Sequence, residues 1–205
     1  MKIVFCLPGN EYSRPFFDSW LHLEEWMNKR EDIEFIVSTA GGSNVSKVRE
    51  RCVRPFREGS DHPKEPFYGE VDYDYIMWID SDIAFEPPDF EKLLEKDCDI
   101  IGGLYKNAKG DFVCQIDDTI RAEAYTSIKE PVEVYWTGFG FVLMKKGILE
   151  NIEPPWFQTA PIDTHDRKDV FATEDIFFCY RAREAGFKIY IAPDVVVKHY
   201  KPCII

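Results

Sequence analysis

Asp80-Ser81-Asp82 follows the apolar run Tyr75-Ile76-Met77-Trp78-Ile79. In an extended segment, residues i and i+2 point to the same side, so this spacing predicts two carboxylates side by side. They repel each other unless a cation sits between them or one takes a proton. A hard divalent ion, Mn²⁺ or Mg²⁺, prefers such an oxygen site. Such an ion keeps few protein ligands and completes its shell with a substrate's phosphates. The same tripeptide also suits an acidic turn capping the helix near Pro87.

Three further groups carry reactive side chains. Glu174-Asp175 follows Thr173, which reads as a helix N-cap. A carboxylate there can take a proton from a hydroxyl, or can simply complement the helix dipole. His199 ends the run Val195-Val196-Val197-Lys198 and reads as a structural histidine or a metal ligand. Arg49 can grip phosphates bidentately or stand as an exposed helix charge. His165, with Asp163 and Asp166, suits a solvated lid loop better than a second metal site. His22 and His62 are given no role.

The elements that must position these groups are legible in the apolar pattern. Ile3–Leu7 reads as a buried strand ended by Pro8-Gly9. Ser13 and Pro15 open a helix through Phe16, Phe17, Trp20, Leu21, Leu23 and Trp26. Ile33–Val37 is a second strand, and a helix follows with Val45, Val48, Cys52, Val53 and Phe56 on one face. Residues 57–70 read as a mobile surface loop. Tyr75–Ile79 is a central strand, Pro87-Pro88 starts a short helix, and Asp99–Gly103 is another strand. Strand and helix alternate four times, which predicts an α/β fold with a mainly parallel sheet flanked by helices. Ligands then bind at the C-terminal edge of the strands. The second half is richer in strand, a smaller mixed β part. Val132–Trp136, Phe141–Met144, Lys188–Ala192 and Val195–His199 read as strands, and Glu174–Ala185 as a helix stopped by Gly186.

Composition bounds the function. The 205 residues carry 37 acidic and 25 basic side chains, a net charge of −12. This argues against nucleic-acid binding through phosphate neutralisation and against a basic membrane surface. Hydrophobic residues make up 45% and aromatics 15%, which excludes disorder. None of the six cysteines forms a C-x-x-C pair, so they read as reduced thiols rather than a zinc site. The N-terminal apolar run is too short for a signal peptide, and no stretch approaches the roughly 20 apolar residues of a membrane span. Cys203 stands third from the end, not the fourth position that prenylation needs. The expectation is a cytoplasmic chain of one domain over 1–205, in two halves, 1–105 and 106–205. Nothing in the sequence sets an oligomeric state.

The run Tyr75–Ile79 with Asp80-Ser81-Asp82 resembles the D-x-D segment of GT-A fold glycosyltransferases, which use nucleotide-sugar donors. Three other segments agree with that family in order. The first strand with Pro8-Gly9 resembles its nucleotide-binding start. Asn44–Arg49 resembles the helix start where an arginine reaches the donor. Thr173-Glu174-Asp175 with Arg181–Phe187 resembles its E-D helix. The chain departs from the pattern at Glu50, where many relatives carry asparagine, and in the acidic loop 158–172.

The resemblance implies a metal-dependent transfer of sugar from a nucleoside diphosphate sugar, UDP being the commonest, to a hydroxyl of a glycan or glycoprotein acceptor. It implies that Asp80, Asp82 and His199 hold Mn²⁺ or Mg²⁺. Pro8, Gly9, Arg49, Asp80, Ser81, Trp136 and Gly138 would contact the donor. It makes Asp175 the base in inverting members and gives Glu174 an acceptor-positioning role. The face of Trp136 suits sugar C–H surfaces and equally suits core packing, while Gly138 and Gly140 let a ligand approach the backbone. A sugar-1-phosphate nucleotidyltransferase is a rival, but it wants a Gly-rich basic loop where Pro8-Gly9-Asn10-Glu11 is short and acidic. A non-catalytic carbohydrate- or nucleotide-binding module has no need of the acids at 174 and 175.

Overall fold

A computed structural model describes residues 1–54, 65–115, 128–163 and 169–200. Phe56, most of the loop 57–70 with His62, His165, Asp166 and Cys203 lie outside the described residues. The elements are β1 (Lys2–Pro8), α1 (Arg14–Asn28), β2 (Glu34–Ala40), α2 (Val45–Val53), β3 (Tyr75–Ile79), β4 (Ile83–Ala84), α3 (Pro87–Glu95), β5 (Ile100–Leu104), β6 (Cys114–Gln115), β7 (Val132–Glu133), β8 (Trp136–Thr137), β9 (Phe141–Lys145), β10 (Ala160–Ile162), β11 (Val170–Ala172), α4 (Glu174–Glu184), β12 (Ile189–Val196) and β13 (Lys198–His199).

The described residues form a seven-stranded sheet in the order β2-β1-β3-β9-β5-β12-β7. Strands β2, β1, β3, β5 and β12 run one way, and β9 and β7 run the other. The sheet is thus mainly parallel, and it draws strands from both halves of the chain. Its central strands are apolar throughout because both faces are covered. Val4, Cys6, Ile76 and Trp78 join one core with Cys52 and Val53 of α2 and Phe178, Cys179 and Ala182 of α4. Their sequence neighbours Ile3, Phe5, Met77 and Ile79 join the other with Phe16, Leu23 and Met27 of α1 and Phe90 and Leu93 of α3. The period-2 alternation of strand side chains feeds both layers.

Local signals end the helices. Ser13 Oγ accepts the Phe16 amide at 3.2 Å, and Asn44 Oδ1 accepts that of Lys47 at 3.0 Å. Gly186 takes φ +91, and α4 closes with its amide on Arg183 O at 2.9 Å and that of Phe187 on Ala182 O at 3.0 Å. Glu86 occupies the N-cap of α3, and Asp89 returns a bond to its amide at 2.9 Å. That helix therefore does not use Asp80 or Asp82 as caps.

Three expectations change. Residues 132–136 do not form one strand: β7 pairs with β12, while β8 joins β6 in a separate ladder. The closing strands divide elsewhere than expected: β12 runs unbroken over Ile189–Val196 and Lys198–His199 forms β13, while the pairing of β12 with β5 shifts between Ala192 and Val196 around Pro193, a residue without an amide to donate. The loop 158–172 carries a hairpin of β10 and β11. Pro66–Gly69 forms a short 3₁₀ turn within the expected loop. Cys6, Cys52, Cys98, Cys114 and Cys179 are free thiols. No helix among the described residues is long and apolar enough to cross a membrane.

Candidate active site

Strand direction gathers the reactive residues at one edge of the sheet. Pro8, Ile79, Leu104 and Val196 end β1, β3, β5 and β12 there. The antiparallel β9 begins there, with Phe141 opposite Ile79. The segment before it, Trp136–Gly140, is thereby delivered beside Asp80, whose amide donates to Gly140 O at 2.9 Å. A surface depression of about 450 Å³ lined by Met1, Asp74, Tyr75, Lys145 and Lys146 lies at the other end of the strands and shares none of these residues.

Asp80 and Asp82 do not continue the strand. The chain turns after Ile79, with the Ile83 amide on Asp80 O at 3.0 Å, so the extended alternation that predicted parallel carboxylates no longer applies. The two side chains take different partners. Asp80 meets Arg49, whose Nη2 lies 2.9 Å from Oδ1 and 3.1 Å from Oδ2. Arg49 is only 3% exposed, so it is neither a free helix charge nor a side chain extended into solvent. Its Nε lies 3.4 Å from Glu174 Oε1, and its Nη1 donates to Phe139 O at 3.3 Å. The rings of Trp78 and Phe139 lie beneath the guanidinium at 5.9 and 5.7 Å. Burial pulls the Arg49 pKa down, but Asp80, Glu174 and other nearby groups outweigh it and hold the group firmly charged. Burial pushes the Asp80 carboxyl up; Arg49 opposes this and Asp82 adds to it.

Asp82 meets His199. The ladder of β13 with β4 pairs His199 with Ile83, and the Tyr200 amide donates to Asp82 O at 2.7 Å. This places His199 Nε2 3.1 Å from Asp82 Oδ2 and Nδ1 3.1 Å from Lys106 O. A carbonyl can only accept, so Nδ1 carries the hydrogen. The neutral imidazole then turns its Nε2 lone pair toward a carboxylate oxygen. Two acceptors at this distance need a proton or a cation between them. The pair fits a hard divalent ion: two ligands at about 2.1 Å and a right angle lie about 3 Å apart. Among the described residues no third His, Cys, Asp or Glu completes a metal-binding cluster with them. Asp80, expected as a second metal carboxylate, is paired with Arg49.

Glu174 and Asp175 open α4 and diverge in the same way. Glu174 is buried against Arg49. Asp175 Oδ1 accepts from the Thr173 hydroxyl and from the Ile176 amide, the latter at 2.8 Å. Thr173 occupies the N-cap position, but its hydroxyl orients Asp175 rather than capping the helix. One carboxylate oxygen of Asp175 is thus tied down while Oδ2 has no hydrogen-bond partner among the described residues.

The remaining expected contacts fall on both sides of this centre. Gly9 packs on Ser81: a Cβ at Gly9 would stand 2.6 Å from Ser81 Cβ and Oγ. Its amide donates to Ala40 O at 2.9 Å, beside Pro8. Gly138 does not leave its backbone open to a ligand as expected, because the Tyr105 hydroxyl and Val113 fill the space a Cβ would take. Trp136 is half-buried and packs against the α2–α4 core from β8. Asp163 lies on the surface beyond β10.

Two residues of the site escaped the sequence reading. Tyr105 follows β5 and packs on Gly138, Gly140 and His199. A tyrosine immediately past a predicted strand end was the available signal. Glu50, noted only as a departure from the family pattern, has an anchoring role. Its Oε2 accepts the amides of Trp156 at 2.9 Å and Phe157 at 3.1 Å, and Phe157 packs on Trp78, Phe139 and Phe178. Burial raises the Glu50 pKa, against the pull of the Phe157 amide and Arg54. The folded state therefore binds this proton more tightly than the unfolded chain. The group's contribution favours folding at low pH and declines as pH rises from the unfolded toward the folded pKa. Glu50→Gln should flatten that slope and keep both amide bonds. Glu50→Ala should strand both amides and destabilise by about 2 kcal/mol, measured by urea unfolding.

The model of the family described as "Glycosyltransferase like family 2" matches residues 31–203. No curated protein matches the chain. Among solved structures, A197 from STIV is 18% identical and superposes with a TM-score of 0.59, covering 100% of this chain and 97% of that one. GalNAc-T7, solved with UDP, GalNAc and Mn²⁺, is 10% identical with a TM-score of 0.52 over 98% of this chain. This chain spans 43% of GalNAc-T7. At such identities the likeness establishes architecture, and the family match extends over most of the sequence. The chain belongs to glycosyltransferase-like family 2 and has the GT-A fold.

Proposed function

We propose that this protein is a metal-dependent glycosyltransferase that moves a sugar from a nucleoside diphosphate sugar, most simply a UDP-sugar, to a hydroxyl of a glycan or glycoprotein. The observation that carries this is Asp82 facing His199 at 3.1 Å, with the far imidazole nitrogen tied to a carbonyl. Asp82 and His199 would hold Mn²⁺ or Mg²⁺, which supplies Lewis-acid neutralisation of the departing diphosphate. GalNAc-T7 was solved with UDP and Mn²⁺, which supports the choice.

The chain's own residues account for the rest. The Pro8-Gly9 turn and Ser81 form the floor on which the donor rests. Residues 1–105 supply this donor side, and 106–205 supply the acceptor side. Asp175, anchored through Oδ1, takes the acceptor's proton at Oδ2 as its oxygen attacks the sugar. Arg49 is a positioning residue rather than a phosphate clamp: it fixes Asp80 behind the donor and Glu174 behind the base. Trp136, half-buried on β8 against the core, would offer its remaining exposed surface to the sugars.

The test is a titration of Mn²⁺ into the parent, Asp82→Ala and His199→Ala. Each substitution should weaken Mn²⁺ on the order of tenfold or more. A protonated imidazole cannot ligate, so parent affinity should fall as pH drops, and His199→Ala should flatten the imidazole's part of that profile. Parent-like affinity in both variants would overturn the metal assignment. Donor hydrolysis, assayed with and without Mn²⁺, separates an enzyme from a binding module.

A further inference from the structure

We propose that Tyr105 touches the substrate, donating a hydrogen bond from its phenol to an oxygen of the donor's sugar–diphosphate. The inference rests on the donor reading above. Tyr105 lies one residue past β5, at the strand edge where the other reactive groups collect. It is 6% exposed. Its Oη accepts the Gly140 amide at 3.1 Å. The carbonyl of the same glycine accepts the Asp80 amide at 2.9 Å. The ring stands edge-on to the His199 imidazole, with centroids 5.5 Å apart at 80°. A Cβ on Gly138 or Gly140 would overlap the Tyr105 hydroxyl or ring, so both glycines make room for it.

The bond from Gly140 uses a lone pair of Oη and fixes the oxygen. It leaves the phenolic hydrogen, which finds no acceptor among the described residues. A phenol keeps that hydrogen at neutral pH. A buried O–H without an acceptor is a penalty that a bound oxygen would remove. The neighbours on both sides are the Asp80 backbone and His199, which with Asp82 would hold the ion that meets the donor's diphosphate, so the missing acceptor is a donor oxygen. A sugar hydroxyl and a phosphate oxygen share that chemistry.

The experiment measures binding of Mn²⁺ alone, then of UDP, UDP-glucose, GDP and GDP-mannose with Mn²⁺, to the parent and to Tyr105→Phe. Phenylalanine keeps the ring between the glycines and against His199. It strands the Gly140 amide, so some loss of Tm is expected and carries no weight. Mn²⁺ affinity should be unchanged, while affinity for the sugar nucleotide the parent binds should fall about tenfold or more. A matching loss for the bare diphosphate places the bond on a phosphate; a loss confined to the sugar nucleotide places it on the sugar. Parent-like binding of every nucleotide by Tyr105→Phe would overturn the proposal. A parent that binds none of them with Mn²⁺ would overturn the donor reading, and this proposal with it. Should Tyr105→Phe not fold, 3-fluorotyrosine at position 105 keeps the Gly140 bond and makes a stronger donor. Nucleotide affinity should then rise at constant Tm, and an unchanged affinity would count against the proposal.

Discussion

Asp175→Asn should lower sugar transfer at least about 100-fold and leave the donor dissociation constant nearly unchanged. A base acts on the acceptor's proton and not on the donor's phosphates. A drop of this size equals roughly 3 kcal/mol of barrier, within what general bases contribute. The substitution is gentle on the fold. Asparagine Oδ1 can accept the same two bonds that Asp175 Oδ1 accepts from Thr173 and Ile176. Circular dichroism and Tm should therefore match the parent closely. Near-normal turnover would remove Asp175 from the mechanism. Lost donor affinity would make it a donor contact and favour a retaining course. Glu174→Gln is the contrasting variant: Glu174 faces Arg49 at 3.4 Å, so its loss should appear first in stability.

Arg49→Met should destabilise the fold by about 3–5 kcal/mol, because it leaves buried Glu174 and part-buried Asp80 without their cation. Methionine fills much of the volume, so the effect is electrostatic rather than a cavity. The pH dependence separates the two. Without Arg49 the Asp80 carboxyl, already pushed up by burial and Asp82, loses the cation that opposes them and stands further above its unfolded value. Protonation then relieves the variant, and its stability should recover as pH falls toward the unfolded carboxylate range and decline as pH rises. Urea unfolding of Arg49→Met at pH 5 and pH 8 measures this. Adding Asp80→Asn and Glu174→Gln to Arg49→Met should restore most of the loss at neutral pH. A loss under about 1 kcal/mol at pH 8 would mean that the two carboxylates are not held by Arg49.

The elements, and several of the residues that the fold brings together, are legible in the sequence. Apolar runs without polar interruption at Ile3–Leu7 and Tyr75–Ile79 required strands covered on both faces, and they are. Ser13, Asn44 and Gly186 wrote helix ends in local chemistry that needs no distant partner. Asp80, Asp82, Arg49, Glu174 and His199 were singled out by residue type and by order along the chain, and all of them gather at one sheet edge. Which side chains meet is set by long-range packing. The antiparallel β9 sits between β3 and β5, a placement set by long-range pairing that no local period encodes. That placement brings Phe139 and Gly140 to Asp80. A two-residue ladder, β13 on β4, brings His199 across 117 positions to Asp82. The turn after Ile79 sends Asp80 and Asp82 to different partners, which an extended reading of D-x-D could not foresee. Arg49 looks like a surface charge on a short helix and becomes an internal strut. Its burial depends on two carboxylates, one from the turn after β3 and one from the start of α4, and a buried charge is tolerated only where its counter-charges are already in place.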